Sequence, residues 1–243
     1  MYKHALAAAA AAAFIHLPST AAEVVTQWNI NSLPADGATG TGTTAAAIGS
    51  GTASLVGGAT ASFASGDASG GSSDPASGDD SGWNLTTFAA QGTGSGTRGA
   101  QFAVSTAGFE NLVISFDLRH SNTSARHELL QISLDGISFS DFALFDADAG
   151  GDRWYTGRTV DLSAVAGASD NASFAFRVVS AFAPTTGQYA ATGVGSSYGT
   201  SGTWRMDMVT LSGTAIAPVP EPGAMALLLA GLGVIGTVVR RRA

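Results

Sequence analysis

Carboxylates set in glycine-rich loops are the side chains of this sequence best suited to chemistry. The stretch "DADAGGD" offers Asp146, Asp148 and Asp152 with glycines that permit a tight turn, and "SSDPASGDD" offers Asp74, Asp79 and Asp80. Calcium takes about six to eight oxygens from carboxylates and backbone carbonyls carried on such loops. A calcium site on Asp146, Asp148 and Asp152 is therefore expected, with a solvated acidic loop as the alternative. An EF-hand is excluded, because Gly157 stands where that motif needs its bidentate acid. His120 and His127, seven positions apart in "RHSNTSARHE" with Glu128 beside the second, bracket an expected hairpin loop. They could converge on a metal, yet no third ligand is identifiable, and surface histidines flanking a turn are the simpler reading.

Other chemistries find less support. "GSSYG", Gly195 to Gly199, has the GxSxG spacing of a nucleophile elbow around Ser197, which needs a helix after the serine and a histidine later in the chain. The last histidine is His127, so a glycine-rich loop is expected instead. "GLGVIG", Gly231 to Gly236, has the dinucleotide spacing GxGxxG, but the chain ends seven residues later, inside an apolar tail. The absence of cysteine removes disulfides, thiol nucleophiles and thiolate metal sites together. A carboxylate pair, Asp117 or Asp141 with Glu128, leaves a secreted hydrolase as an alternative, since glycoside hydrolysis needs two acids at a suitable separation.

Aromatic residues suggest binding without catalysis. Trp83, Trp154, Tyr155, Tyr189 and Tyr198 fall in or beside expected loops. Aromatic faces suit the C–H surfaces of sugars, and polar neighbours bond hydroxyls. Trp154 and Tyr155, beside the acidic loop and Arg153, are the expected ligand-binding pair, with Arg119 and Asn122 as further polar contacts. A buried anchor is an equal reading for each tryptophan singly, and Trp204 is assigned to the core.

The elements that must carry these residues read as strands. In "NLVISFDLRH", Leu112, Ile114, Phe116 and Leu118 alternate with Val113, Ser115, Asp117 and Arg119, the period-two pattern of a half-buried strand. "LLQISLDGISF" places Leu130, Ile132 and Leu134 on one face before a turn at Asp135-Gly136. "SFAFRVVSAF" sets Phe174, Phe176, Val178 and Phe182 inward with Arg177 outward. In "TWRMDMVTL", Trp204 and Met206 compete with Val209 and Leu211 for the core face, and a bulge is expected. "TASLV" and "TASFA" add two short strands, whereas Gly66 to Gly82 is a loop. Helical periodicity is missing between the termini, apart from a turn at "DLSAVAGA". Some ten short strands separated by turn signals indicate an antiparallel sandwich.

The two ends differ from this middle. Lys3 and His4 precede an apolar run from Ala5 to Leu17, with small residues offering cleavage after Ala21 or Ala22, which reads as a signal-peptide helix over residues 1–22. The passenger, 23–217, carries seven arginines, no lysine and 17 acids, a net charge of −10. Nucleic acid is excluded as a partner, because phosphate binding needs clustered cations. In the last part, 218–243, Pro220-Glu221-Pro222 is followed by an uncharged stretch, 223–239, and then by Arg240, Arg241 and Arg242. As a helix that stretch reaches roughly 25 Å, just enough to cross a membrane, and the arginines favour the cytoplasmic side. The order of these three parts resembles the PEP-CTERM sorting tail of Gram-negative bacteria. The resemblance implies recognition and cutting by an exosortase membrane protease, transient anchoring in the inner membrane, and a destination at the cell surface or in an exopolysaccharide matrix.

A second resemblance covers most of the passenger. "QWNI", "GWNLTTF", "DLRHSNTS" and the closing "TWRMDMVTLSG" look like the galactose-binding-like jelly rolls of carbohydrate-binding modules. It implies an all-β jelly-roll β-sandwich between the signal-peptide helix and a C-terminal transmembrane helix, with Asp207 of the final strand helping to hold a structural calcium. The expectation is an exported, non-enzymatic protein that binds extracellular polysaccharide. A calcium-assisted structural matrix protein and the carboxylate-dependent hydrolase are the alternatives.

Overall fold

Eleven strands form in the computed structural model, which describes residues 21–217. In chain order they are β1 (Ala22–Trp28), β2 (Thr52–Val56), β3 (Thr60–Ser65), β4 (Ser81–Thr86), β5 (Gly99–Ala103), β6 (Phe109–His120), β7 (His127–Ser133), β8 (Ser140–Asp146), β9 (Arg153–Asp161), β10 (Ala175–Ala181) and β11 (Trp204–Ala215). Two antiparallel sheets result. The first runs β3-β4-β11-β6-β9, with β1 also paired to β11, and the second runs β2-β5-β10-β7-β8. The expected all-β class stands. Among the described residues the only helical piece is a short 3-10 turn, Ala68–Gly70, and no helix is long and apolar enough to cross a membrane.

The alternation in β6 explains its place inside the first sheet, between β11 and β9. Leu112, Ile114, Phe116 and Leu118 are all buried, because period two sends one set of side chains between the sheets. Phe102 of β5 lies against Trp28 of β1 at 5.0 Å between ring centroids and against Phe176 of β10 at 5.1 Å. Aromatic contacts of this kind join both sheets across the core.

The bulge in β11 settles the competition seen in its sequence. Trp204, Met206, Val209 and Leu211 are all fully buried, because the register shifts between Asp207 and Thr210, with Met208 at φ 48°. One extra residue changes the phase, so both pairs face inward. At the same point β11 changes neighbours on one side: β4 pairs with Trp204 to Met206, and β1 pairs from Val209 to Thr214.

Several expectations need correction. Ala22, expected at the end of the signal-peptide helix, begins β1 opposite Thr214, since its backbone completes the ladder along β11. The remainder of that segment, residues 1–20, and the tail with its motif and apolar stretch lie outside the described residues. The two short strands expected at "TASLV" and "TASFA" do form, as β2 and β3; they join different sheets, and Gly57 and Gly58, at φ 67° and 86°, make the crossing. Leu134 is 41% exposed because β7 ends at Ser133, and Phe182 lies beyond β10 against Tyr189. His120 and His127 do not flank a hairpin, for β6 and β7 belong to opposite sheets, and both rings are buried. Of the aromatic residues expected in or beside loops, Trp83 lies within β4 and Trp154 and Tyr155 within β9, each near the start of its strand and so beside a loop.

Candidate metal centre

The outer face of the first sheet is unexpectedly polar and unexpectedly buried. Asp117 and Arg119 of β6 stand opposite Asp207 and Arg205 of β11, on the side away from the core. Asp117, Arg119 and Asp207 are at most 7% exposed, because the acidic segment 66–80 lies across them. A loop of this composition would float free without specific fastenings.

Those fastenings are hydrogen bonds to aspartates and main chain. Ser73 N–H donates to Asp117 Oδ2 at 2.6 Å, and Gly157 N–H donates to Asp117 Oδ1 at 2.7 Å. Trp154 Nε1–H donates to the Ala68 carbonyl at 2.8 Å. Asn31, just after β1, donates from Nδ2 to Asp74 Oδ2 at 2.9 Å and accepts Ser81 N–H at Oδ1. Asp79 Oδ1 accepts Gly37 N–H at 2.7 Å, tying in a second loop. A Cβ on Gly66 would run into the Asp80 carboxylate and force it to shift.

Beneath this loop Asp74, Asp80 and Asp207 converge, their ligand atoms within 4.8 Å of one another. Asp80 and Asp207 are 1% and 0% exposed. Ser72 Oγ–H donates to Asp80 Oδ2 at 3.1 Å and Met208 N–H to Asp207 Oδ1 at 2.6 Å, while Asp80 Oδ1 and Asp207 Oδ2 have no partner. Among the described residues, no arginine or histidine pairs with any of the three. Burial, with the neighbouring Asp80, pushes the Asp207 carboxyl up to about 9, and burial raises Asp80 as well. Two buried carboxylates with spare oxygens either hold a proton between them or accept a cation. All-oxygen donors of this kind suit a hard divalent ion such as calcium.

The other expected ligands do not join this group. Asp146 takes a fork of bonds from Arg126, at 2.5 Å from Nε and 2.8 Å from Nη2. Asp148 accepts Arg153 at 2.7 Å and the Tyr155 hydroxyl at 3.0 Å, and Asp152 pairs with Arg119. Each carboxylate of "DADAGGD" thus has an arginine of its own, and the three form no metal-binding group with Asp207. The link between Asp80 and Asp207 was latent in the strands. Pairing "GWNL" antiparallel with "TWRM" places Trp83 opposite Met206 and so carries Asp80 toward Asp207.

The expected ligand-binding residues gather nearby, with changed roles. Trp154 is 8% exposed and pinned under the loop, while Tyr155 lies between the Arg153 and Arg158 guanidiniums at 4.9 and 5.0 Å. Arg153 and Trp154 line a groove of about 440 Å³ with Thr156 and the Ser69 to Ser73 stretch. Asn122 is exposed on the 121–126 connection, next to Gly193. Arg119 faces Asp152 rather than the groove. Glu128, the acid expected to share a carboxylate pair with Asp117 or Asp141, is fully buried between Arg158 at 2.9 Å and His120 at 3.4 Å. Ser197 is exposed in its loop.

Residues 218–242 match the family model for the PEP-CTERM protein-sorting motif. The match covers Pro220, Glu221, Pro222 and the arginines 240 to 242, and it supports an exported protein sorted by an exosortase, a membrane enzyme, to the cell surface. No curated protein matches the chain.

Proposed function

We propose that this exosortase-sorted protein works without catalysis in the extracellular matrix, as a sandwich of jelly-roll type whose acidic loop is clasped to the first sheet by calcium. One observation carries the reading: two fully buried carboxylates, each with an unpartnered oxygen, meet a third under a loop that covers the sheet. Asp74, Asp80 and Asp207 would hold the ion, and its charge would relieve the cost of burying theirs. A cation bound only by the folded state raises stability by mass action. The test is thermal unfolding of the processed protein, with millimolar calcium and with a chelator. A rise in melting temperature supports the clasp, and identical curves at low ionic strength remove it.

Binding of a neutral polysaccharide is a second reading, and the groove beside the loop favours it. Arg153, about half exposed, offers guanidinium donors, and serine and glycine of the loop line the groove with it and Trp154. A volume of about 440 Å³ lies within the usual range for small-ligand sites. The clasp would then fix one wall of the groove. Affinity electrophoresis in gels of candidate polysaccharides tests this: retardation should be reduced by Arg153→Ala and by chelation, and free migration of the wild type in every gel would leave cohesion alone.

A further inference from the structure

The strands at the sheet edges differ in what they show to water. β2, β3 and β9 carry no exposed large hydrophobic residue and β1, paired only with β11, carries one, Val24 at 40%, whereas β8 exposes two, Phe142 at 41% and Leu144 at 47%. Sheet edges ordinarily carry charge or lie under other structure, because their unpaired N–H and C=O groups recruit further strands. β8 is also bulged. Leu130 pairs with Ala143 and Gln131 with Asp141, which leaves Phe142 as the extra residue. Phe142 and Leu144 accordingly both line a depression of about 380 Å³ with Leu129 and Phe182.

We propose that β8 is a self-association edge and that its partner is a second copy of this chain, paired antiparallel about a two-fold axis at Ala143. The inference goes beyond the calcium clasp and does not depend on it. The sequence "SDFALFD" is complementary to itself in this register. Phe142 meets the partner's Leu144, the small Ala143 meets its own copy at the axis, Asp141 meets the partner's Phe145, and Asp146 meets the partner's Ser140. No carboxylate faces another, although the chain is acidic. Asp146 is already neutralised by Arg126, and Asp141 accepts Gln131 Nε2–H at 2.8 Å. Remaining repulsion is screened beyond about 8 Å at physiological salt. Two seven-residue edges bury less than a standard interface, and the bulge limits the paired length, so the association is reversible and concentration-dependent. β11, which leads to the sorting tail, lies in the other sheet and stays clear of the contact.

Sedimentation velocity on the processed protein tests the proposal. The wild type should shift from monomer toward dimer with rising concentration, Leu144→Lys and Phe142→Lys should each weaken the dimer by roughly tenfold or more, and Ser62→Lys on β3 should leave it intact. The double variant Phe142→Lys with Leu144→Glu sets opposite charges across both pairs and should recover association. Circular dichroism checks that each variant stays folded. A monomer at every attainable concentration overturns the proposal. So does a dimer indifferent to Leu144→Lys, a double variant as monomeric as the single ones, or β8 amides protected from exchange only when host envelope material is added.

Discussion

Asp80 and Asp207, brought together across 127 positions of the chain, each keep a buried oxygen without a partner. Asp80 directly precedes β4, and Asp207 stands at the bulge of the strand with which β4 pairs. Their nearness is a consequence of sheet register, and so is the cost of leaving them without a cation.

That cost has a pH signature. Without a cation, burial and the neighbouring Asp80 let Asp207 hold its proton up to about 9 in the folded state, against the usual carboxyl value of 3.8. The folded protein therefore binds a proton that the unfolded chain has released, and stability falls as pH rises through this window. The slope for one proton is at most about 1.4 kcal/mol per pH unit. In chelator, midpoints of denaturant unfolding should drop from pH 5 to pH 8. With calcium present the drop should be much smaller, and parallel curves with and without calcium would contradict the clasp.

Asp207→Asn separates the two states of the site. Without calcium it should match or exceed the wild type at pH 8, because it removes a buried acid that is costly to ionise. With calcium it should lose the thermal shift. Differential scanning calorimetry under both conditions reads this crossover, and a variant less stable than the wild type by the same amount in each would argue for a purely local packing role.

Gly66→Ala should loosen the loop, since the new methyl group meets the Asp80 carboxylate. A loss on the order of 1–3 kcal/mol is expected, the scale for overpacking a filled site. Amide exchange should show Ser72 and Ser73 opening faster than the β6 core. Phe102→Ala, in contrast, should cost about 3–5 kcal/mol and speed exchange throughout, because its ring touches both sheets.

The tail should be removed. Mass spectrometry of the protein from its own host should find a carboxyl terminus near residues 217 to 223, given the sorting motif at 218–242. Recovery of Arg240 to Arg242 on the mature protein would show that the segment stays as an anchor.

Legibility in the sequence followed the range of the physics involved. Strands β6, β10 and β11 were readable because their alternation is local, and even the β11 bulge was visible in the rival claims of Trp204 and Val209. The sorting tail was readable because its three parts are contiguous. The candidate site was only half visible. Asp80 and Asp207 are each conspicuous, but their meeting depends on which strands pair across more than a hundred residues. The loop of Asp146, Asp148 and Asp152 drew attention by its density of acids, yet Arg119, Arg126 and Arg153 answer it with counter-charges that a linear reading does not align. For Trp154 the ligand-platform and buried-anchor readings are equal in the sequence; it is buried and lines a groove, because nothing local foretells a loop lying over the sheet.

The pairing of Ala22 with Thr214 means that the passenger enters and leaves the sandwich at one corner. Whatever precedes residue 21 and whatever follows residue 217 attach there side by side. A domain held by both ends at a membrane would hang from that single corner without needing to unfold or turn. The first sheet also cannot close early in synthesis, for β11, the strand on which β1, β4 and β6 all depend, is the last to emerge. Until it arrives those three strands have no common partner, which keeps the first sheet from completing until residues 204–215 have been made.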